Sequence, residues 1–182
     1  SEMCIRDRHL IAPGEKYQYF WTDGASEFEG AAKQLGAGWD PTQEGNKKQN
    51  ARAERANGFI LDGIRCLLLQ SGLPMPWWPY ALKYFCLCCN VTIDAKGSSA
   101  WFRRFGEHFN KVLIPFGALV DFVPPPEDGV GKAKTSPKAV PGIYLGWVRY
   151  AGMRVGPDSY VIDLKELTGM DMTTGRIPSG DG

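Results

Sequence analysis

The sequence contains no long hydrophobic run. Its longest apolar stretch, around Tyr84 to Cys89, is far shorter than the roughly 20 residues that a bilayer-spanning helix needs, so no membrane partner is expected. No charged-then-apolar leader opens the chain. Charge of one sign is scarce as well. The 21 Lys and Arg nearly cancel the 20 Asp and Glu, so affinity for a polyanion would have to come from local clustering. Histidine occurs only at His9 and His108, and the five cysteines are odd in number and lack framework spacing. That excludes a disulfide-stapled secreted scaffold and leaves no second pair at finger-like spacing for a structural zinc. Reduced thiols in an intracellular setting are expected, with cytoplasm and nucleus as the compartments if the protein is functional. Cys86, Cys88 and Cys89 then read as small apolar side chains on a buried helix. No internal repeat is present.

What the chain does have is an ordinary globular composition over 182 residues, with 43% hydrophobic and 23% charged residues, enough for one domain or a domain plus a small module. The first eight residues, SEMCIRDR, resemble the translation of a sequencing-adapter read-through, which would place the natural start near His9. Tyr17 to Thr22 reads as an aromatic-rich strand. Ser26 to Leu35 reads as a short helix with Ser26 as N-cap and Glu27 and Glu29 at the positive end of the dipole. Gly36 to Asn50 is polar and Gly-rich, a loop with room for a short strand at its start. Ala51 to Gln70 carries Ile60, Ile64, Leu67 and Leu68 at helical spacing and stops at Ser71-Gly72 before Pro74. Pro76 to Thr92 is a second, largely buried helix, its aromatics packing on a sheet. Val112 to Val123, Ile143 to Tyr150 and Ser159 to Leu164 read as strands of a small all-β module, separated by a proline-rich loop that carries Lys132, Lys134 and Lys138.

Two carboxylates stand out in this layout. Asp23 follows the first strand in TDGASEFEG. Glu54 lies near the start of the long helix in KKQNARAERANG, on the side that holds Leu61 and Leu68 at 100° per residue. A carboxylate leaning inward needs a cation, and two hard oxygen donors at one spot suit Mg²⁺. The surroundings are basic: from Gly45 to Arg65 there are five Lys and Arg against Glu54 and Asp62. Lys47, Lys48, Arg52 and Arg55, with the polar Asn50 among them, are therefore candidates to hold a polyanion, since cations hold phosphates. The same features also suit a turn, a dipole-complementing Glu and a solvated helix face.

TDGASEFEG followed by NARAERANGFILDGIRCLLLQSGLPMPWWPYAL resembles the integrase core of copia-type retrotransposon polyproteins. RFGEHFNKVLIPFGALVDFVPP, KAVPGIYLGW and SYVIDL are similar to the small barrel of the Src-homology-three type that follows that core. The resemblance runs from about Tyr17 to Leu167. It implies an α/β fold, a partial ribonuclease H-like mixed sheet with helices, then an all-β barrel-like module. It implies an Asp, Asp, Glu triad holding two Mg²⁺ or Mn²⁺, with Asp23 matching the second Asp and Glu54 the Glu. The implied activity is 3′-end processing and strand transfer of DNA, which makes DNA the polyanion held by Lys47, Lys48, Asn50, Arg52 and Arg55. The implied partners are element and target DNA, further copies of the chain, and a reverse transcriptase in the same polyprotein.

The chain departs from that pattern in several places. The family's first Asp and its zinc-binding His/Cys module are not matched. Gly24-Ala25 and Asn50-Ala51-Arg52 replace glycine-containing elements, and the 31 positions from Asp23 to Glu54 are fewer than usual. The resulting expectation is a truncated core over residues 9–95, a linker over 96–110, a barrel-like module over 111–168 and a disordered tail over 169–182, inactive in strand transfer by itself. Two alternatives stand beside it: a non-catalytic relic that binds nucleic acid or protein, and an inert fragment without a stable core.

Overall fold

The computed structural model describes residues 16, 18–22, 26–41, 47–125, 138–172 and 174–175, with the backbone alone at 20, 21, 47–50, 52 and 53. The fold is mixed α/β. Two units are distinguishable, one formed by residues 1–59 with 148–157 and the other by 60–147 with 158–182.

In the first unit, strand β1 (Tyr19–Thr22) leads through helix α1 (Ser26–Leu35) to strand β2 (Gly38–Pro41). The strands pair in parallel, Tyr19 opposite Gly38 and Thr22 opposite Pro41, the arrangement that a crossover helix permits and a tight hairpin does not. Helix α1 begins at Ser26, its first turn is acidic, and an exposed Glu29–Lys33 pair one turn apart spans 2.7 Å. The helix ends where Gly36 takes a left-handed φ of 64° and the Ala37 N–H donates to the Ala32 carbonyl, a glycine stop. The Trp39 indole N–H donates to the Thr22 hydroxyl at 2.9 Å, tying the first half of β2 to the end of β1.

Helix α2 (Lys47–Ser71) is 25 residues long, about 37 Å at 1.5 Å per residue. It starts earlier than the hydrophobic period alone suggests, because Lys47 to Asn50 are compatible with helix even though none of the four is apolar. It stops at Gly72, whose φ is 68°, and the Ser71 hydroxyl accepts from the Leu73 N–H. A 3₁₀ turn over Met75–Trp77 precedes helix α3 (Trp78–Val91). Helix α4 (Ala100–Phe105) lies in the stretch the sequence pattern assigns to a linker. It is too short to show a hydrophobic period, but Ser99 caps it by accepting from the Phe102 N–H at 3.0 Å.

Strands β3 (Leu119–Phe122), β4 (Val140–Arg149) and β5 (Val155–Asp163) form an antiparallel sheet with β4 in the middle. A one-turn helix α5 (Leu164–Leu167) follows, capped by Asp163. Strand β3 is shorter than the hydrophobic run around it: Pro115 removes a donor, and Gly117 turns at a φ of 80° against Ser71. Part of the segment 169–182 lies outside the described residues, but Met170 and Gly175 close hydrogen-bonded turns, and Gly175 sits against Pro74 and Pro76.

One core joins helices and sheet in the second unit. Ile64 and Leu68 of α2, Leu73, Ala81 and Tyr84 of α3, Phe116, Tyr144, Leu145 and Ile162 are buried together. Their spacing of three and four on the helices places them on one stripe. Gly63 lets α2 approach Phe85 of α3 so closely that a Cβ there would run into the ring. The sequence boundary near residues 95–111 therefore falls inside a unit with a continuous core.

Candidate nucleic-acid interface

From Glu54 to Phe59, α2 presents its side chains to water. Glu54, Arg55, Asn57 and Phe59 are all exposed, and Leu61 retains 51% of its surface. The inward tilt expected for Glu54 is not what the structure has. The buried stripe runs through Ile60, Ile64, Leu67 and Leu68, and at 100° per residue Glu54 lies roughly a quarter-turn from its centre. An exposed carboxylate is hydrated and needs no cation for compensation. Arg55 lies on the far side from that stripe, and its Nε donates to the Ala51 carbonyl at 3.1 Å, one of five donors the guanidinium offers. Farther along, Arg65 is engaged by Asp62 at 2.8 Å, with both side chains exposed.

Lys47, Lys48, Asn50 and Arg52 stand on the same helix, but their side chains lie outside the described residues, and so does Asp23. The structure therefore brings Lys47, Lys48, Asn50, Arg52, Glu54 and Arg55 onto one helical segment within nine positions. Among the described residues, no group of three His, Cys, Asp or Glu side chains is placed to hold a metal ion. Glu54 alone, exposed, does not fit a two-metal site, which needs several carboxylates converging on one spot.

The cysteines of α3 stand outside any disulfide among the described residues, Cys86 and Cys88 half-buried and Cys89 exposed. Burial, then the neighbouring Cys86 and Cys88, push the Cys89 thiol up, which disfavours the reactive thiolate. A hollow of about 390 Å³ beside the end of α2 is lined by Arg65, Leu68, Leu69, Gly72, Leu73 and Met75. Its lining offers apolar surface and one guanidinium, with no carboxylate, imidazole or thiol for acid–base or nucleophilic work.

A second basic surface went unread in the sequence. Around α4, Arg103, Arg104 and His108 are exposed, and the rings of Phe102 and His108 stack with centroids 4.6 Å apart at 24°. The available signal was the interleaving of aromatic and basic residues in WFRRFGEHFNK, which a search for helical or strand periodicity passes over.

Among the described residues, no helix is long and apolar enough to cross a membrane. Compared with protein-family models, curated proteins and solved structures, the chain matches none.

Proposed function

We propose that this chain is part of a copia-type retrotransposon integrase, with a partial ribonuclease H-like unit followed by a barrel of the Src-homology-three type, and that its own contribution is to hold DNA. The observation that supports the reading is the succession β1, α1, parallel β2 and long α2, with the basic residues on the N-terminal half of α2 and Glu54 and Arg55 exposed there. A strand leading toward Asp23, a crossover helix and a long helix carrying Glu54 are the order of elements the resemblance implies. Lys47, Lys48, Arg52 and Arg55 supply the phosphate contacts, which position DNA without reading its sequence.

End processing and strand transfer are assigned to the intact integrase, where Asp23 and Glu54 would join a third carboxylate around Mg²⁺ or Mn²⁺. The described donors do not fit that site, because Glu54 is exposed and belongs to no metal-binding group among the described residues. No catalytic step is therefore assigned to this chain. A second reading, for which the exposed position of Glu54 speaks, is a non-catalytic descendant that keeps only nucleic-acid binding.

Fluorescence anisotropy with a labelled duplex across a salt series tests the proposal. Affinity should fall steeply with salt. Replacing Lys47, Lys48, Arg52 and Arg55 by Ala should weaken binding and flatten the slope of log K against log salt by about 3 to 4, at roughly 0.9 per lost contact. Glu54→Gln should leave affinity unchanged or slightly tighter. A quadruple variant with the parent's affinity and slope would sink the reading. The two readings separate on metal: only the integrase reading expects Asp23→Asn and Glu54→Gln to lower Mn²⁺ affinity in calorimetry of the intact integrase, where a third carboxylate completes the site.

A further inference from the structure

Lys96 to Lys111 holds four Lys and Arg against the single carboxylate Glu107, so net +3 with neutral His108, in a chain whose total is +1. Aromatic residues are threaded through it in two sets. Trp101, Phe105 and Phe109 are half-buried and pack on one another, with ring centroids 4.4 and 5.1 Å apart. They form the local apolar support. Phe102 and His108 are instead exposed and stacked nearly parallel, giving a flat conjugated surface that faces water.

That surface is held in place. Ser99 caps α4, and Gly106, at a φ of 74°, reverses the chain so that His108 returns over Phe102. Arg103 is fixed to Asp94 at 3.1 Å, and Asp94 accepts from the Lys96 and Ser98 N–H groups. Arg104, exposed, lies over the Phe105 ring at 5.6 Å. Lys96 is exposed on the adjoining turn. A fixed aromatic face flanked by cations pays little ordering entropy when a ligand arrives.

We propose that the Phe102–His108 face binds single-stranded nucleic acid, an unpaired base stacking on the ring pair while Arg104 and Lys96 take the flanking phosphates. Single strands fit because every unpaired base offers a π-face, which sequence-tolerant binding exploits. In a duplex those faces are already occupied. The net positive charge complements phosphate, and Arg103, although held by Asp94, adds to the same field. This surface lies in a different unit from Lys47 to Arg55 and does not depend on the integrase reading.

The test uses the whole chain with labelled oligo(dT), oligo(rU) and a duplex of equal length. The parent should bind at least one single strand; the stronger of the two identifies the natural ligand as DNA or RNA. Phe102→Leu keeps an apolar contact at the end of α4 but removes the ring, and His108→Leu does the same from outside the helix. Each should weaken single-strand binding about tenfold, with unchanged circular dichroism and unchanged duplex affinity, and Phe102→Tyr should restore it. Arg104→Ala should lower affinity and flatten the salt slope by about one contact. Parent-like single-strand affinity in both Leu variants overturns the proposal, as does an equal loss on duplex. If one Leu variant misfolds, the other still decides. The quadruple α2 variant should lose duplex binding alone, so failure of either proposal is visible separately.

Discussion

The Tyr84 hydroxyl donates to the Ile114 carbonyl at 2.9 Å, whereas the buried Tyr144 hydroxyl makes no well-formed hydrogen bond among the described residues, the Ser159 side chain being at most a weak partner. Removing each should therefore act in opposite directions. Tyr84→Phe leaves a carbonyl without its donor and should cost about 1 kcal/mol or somewhat more. Tyr144→Phe deletes a polar atom that is at best weakly paired with Ser159, and should be near neutral or stabilising by up to about 1 kcal/mol. Chemical denaturation midpoints of the two variants check the pair; equal destabilisation by both would contradict the geometry. Burial, followed by Cys88, pushes both phenols above their usual value, Tyr144 to about 12. A group whose folded pKa is raised stabilises fully below its unfolded pKa, near 10, and loses that contribution as pH rises through the folded value. Alkaline unfolding should thus accompany their ionisation above pH 10, followed by phenolate absorbance and circular dichroism together.

At the scale of elements, the turn before α4 depends on one carboxylate. The Ser98 N–H, then the Lys96 N–H and the Arg103 guanidinium, hold the Asp94 carboxyl below the usual carboxylate range. Its folded pKa is depressed, so its contribution is present above an unfolded value near 4 and is lost as pH falls through the folded value. The protection factors of the Lys96 and Ser98 amides, that is, exchange relative to the intrinsic rate at each pH, should fall below about pH 4. In Asp94→Ala they should be low already at neutral pH. Slow exchange at these amides in the variant would show that the turn holds without its carboxylate.

The elements were legible to the extent that local chemistry specifies them. Helix α1 could be read from its acidic first turn and its glycine stop, and α3 from its apolar content. The C-terminal half of α2 followed from Ile60, Ile64, Leu67 and Leu68. Strand β3 was overextended because apolar residues continue through Pro115 and Gly117, where backbone chemistry rather than hydrophobicity decides. Helix α4 was missed because its six residues owe their helicity to a Ser99 cap, an Asp94–Arg103 pair and aromatic packing, none of which is periodic.

Across the second unit, the helices and the sheet share one core. Ile64, Tyr84, Tyr144, Leu145 and Ile162 come from both sides of the stretch that reads as a linker. Leu145→Ala in the central strand should cost about 2–5 kcal/mol through the cavity it leaves. Because the core is common, helical ellipticity and tryptophan fluorescence should shift to a lower melting temperature together. Helical signal surviving at the parent's melting temperature would mean that α3 and the sheet fold separately.

The sequence by itself determined the longer helices and most of the strands, where glycine ends α1 and α2, and that a basic stretch opens α2. It did so because those properties arise from neighbours within one or two turns. The tertiary structure alone decided which side of α2 is buried, and hence that Glu54 faces water. It also decided that β1 and β2 pair in parallel, that helices and sheet share a core, and that His108 lies over Phe102. Each of these depends on groups far apart along the chain or on a chain reversal, and on packing that no local period encodes.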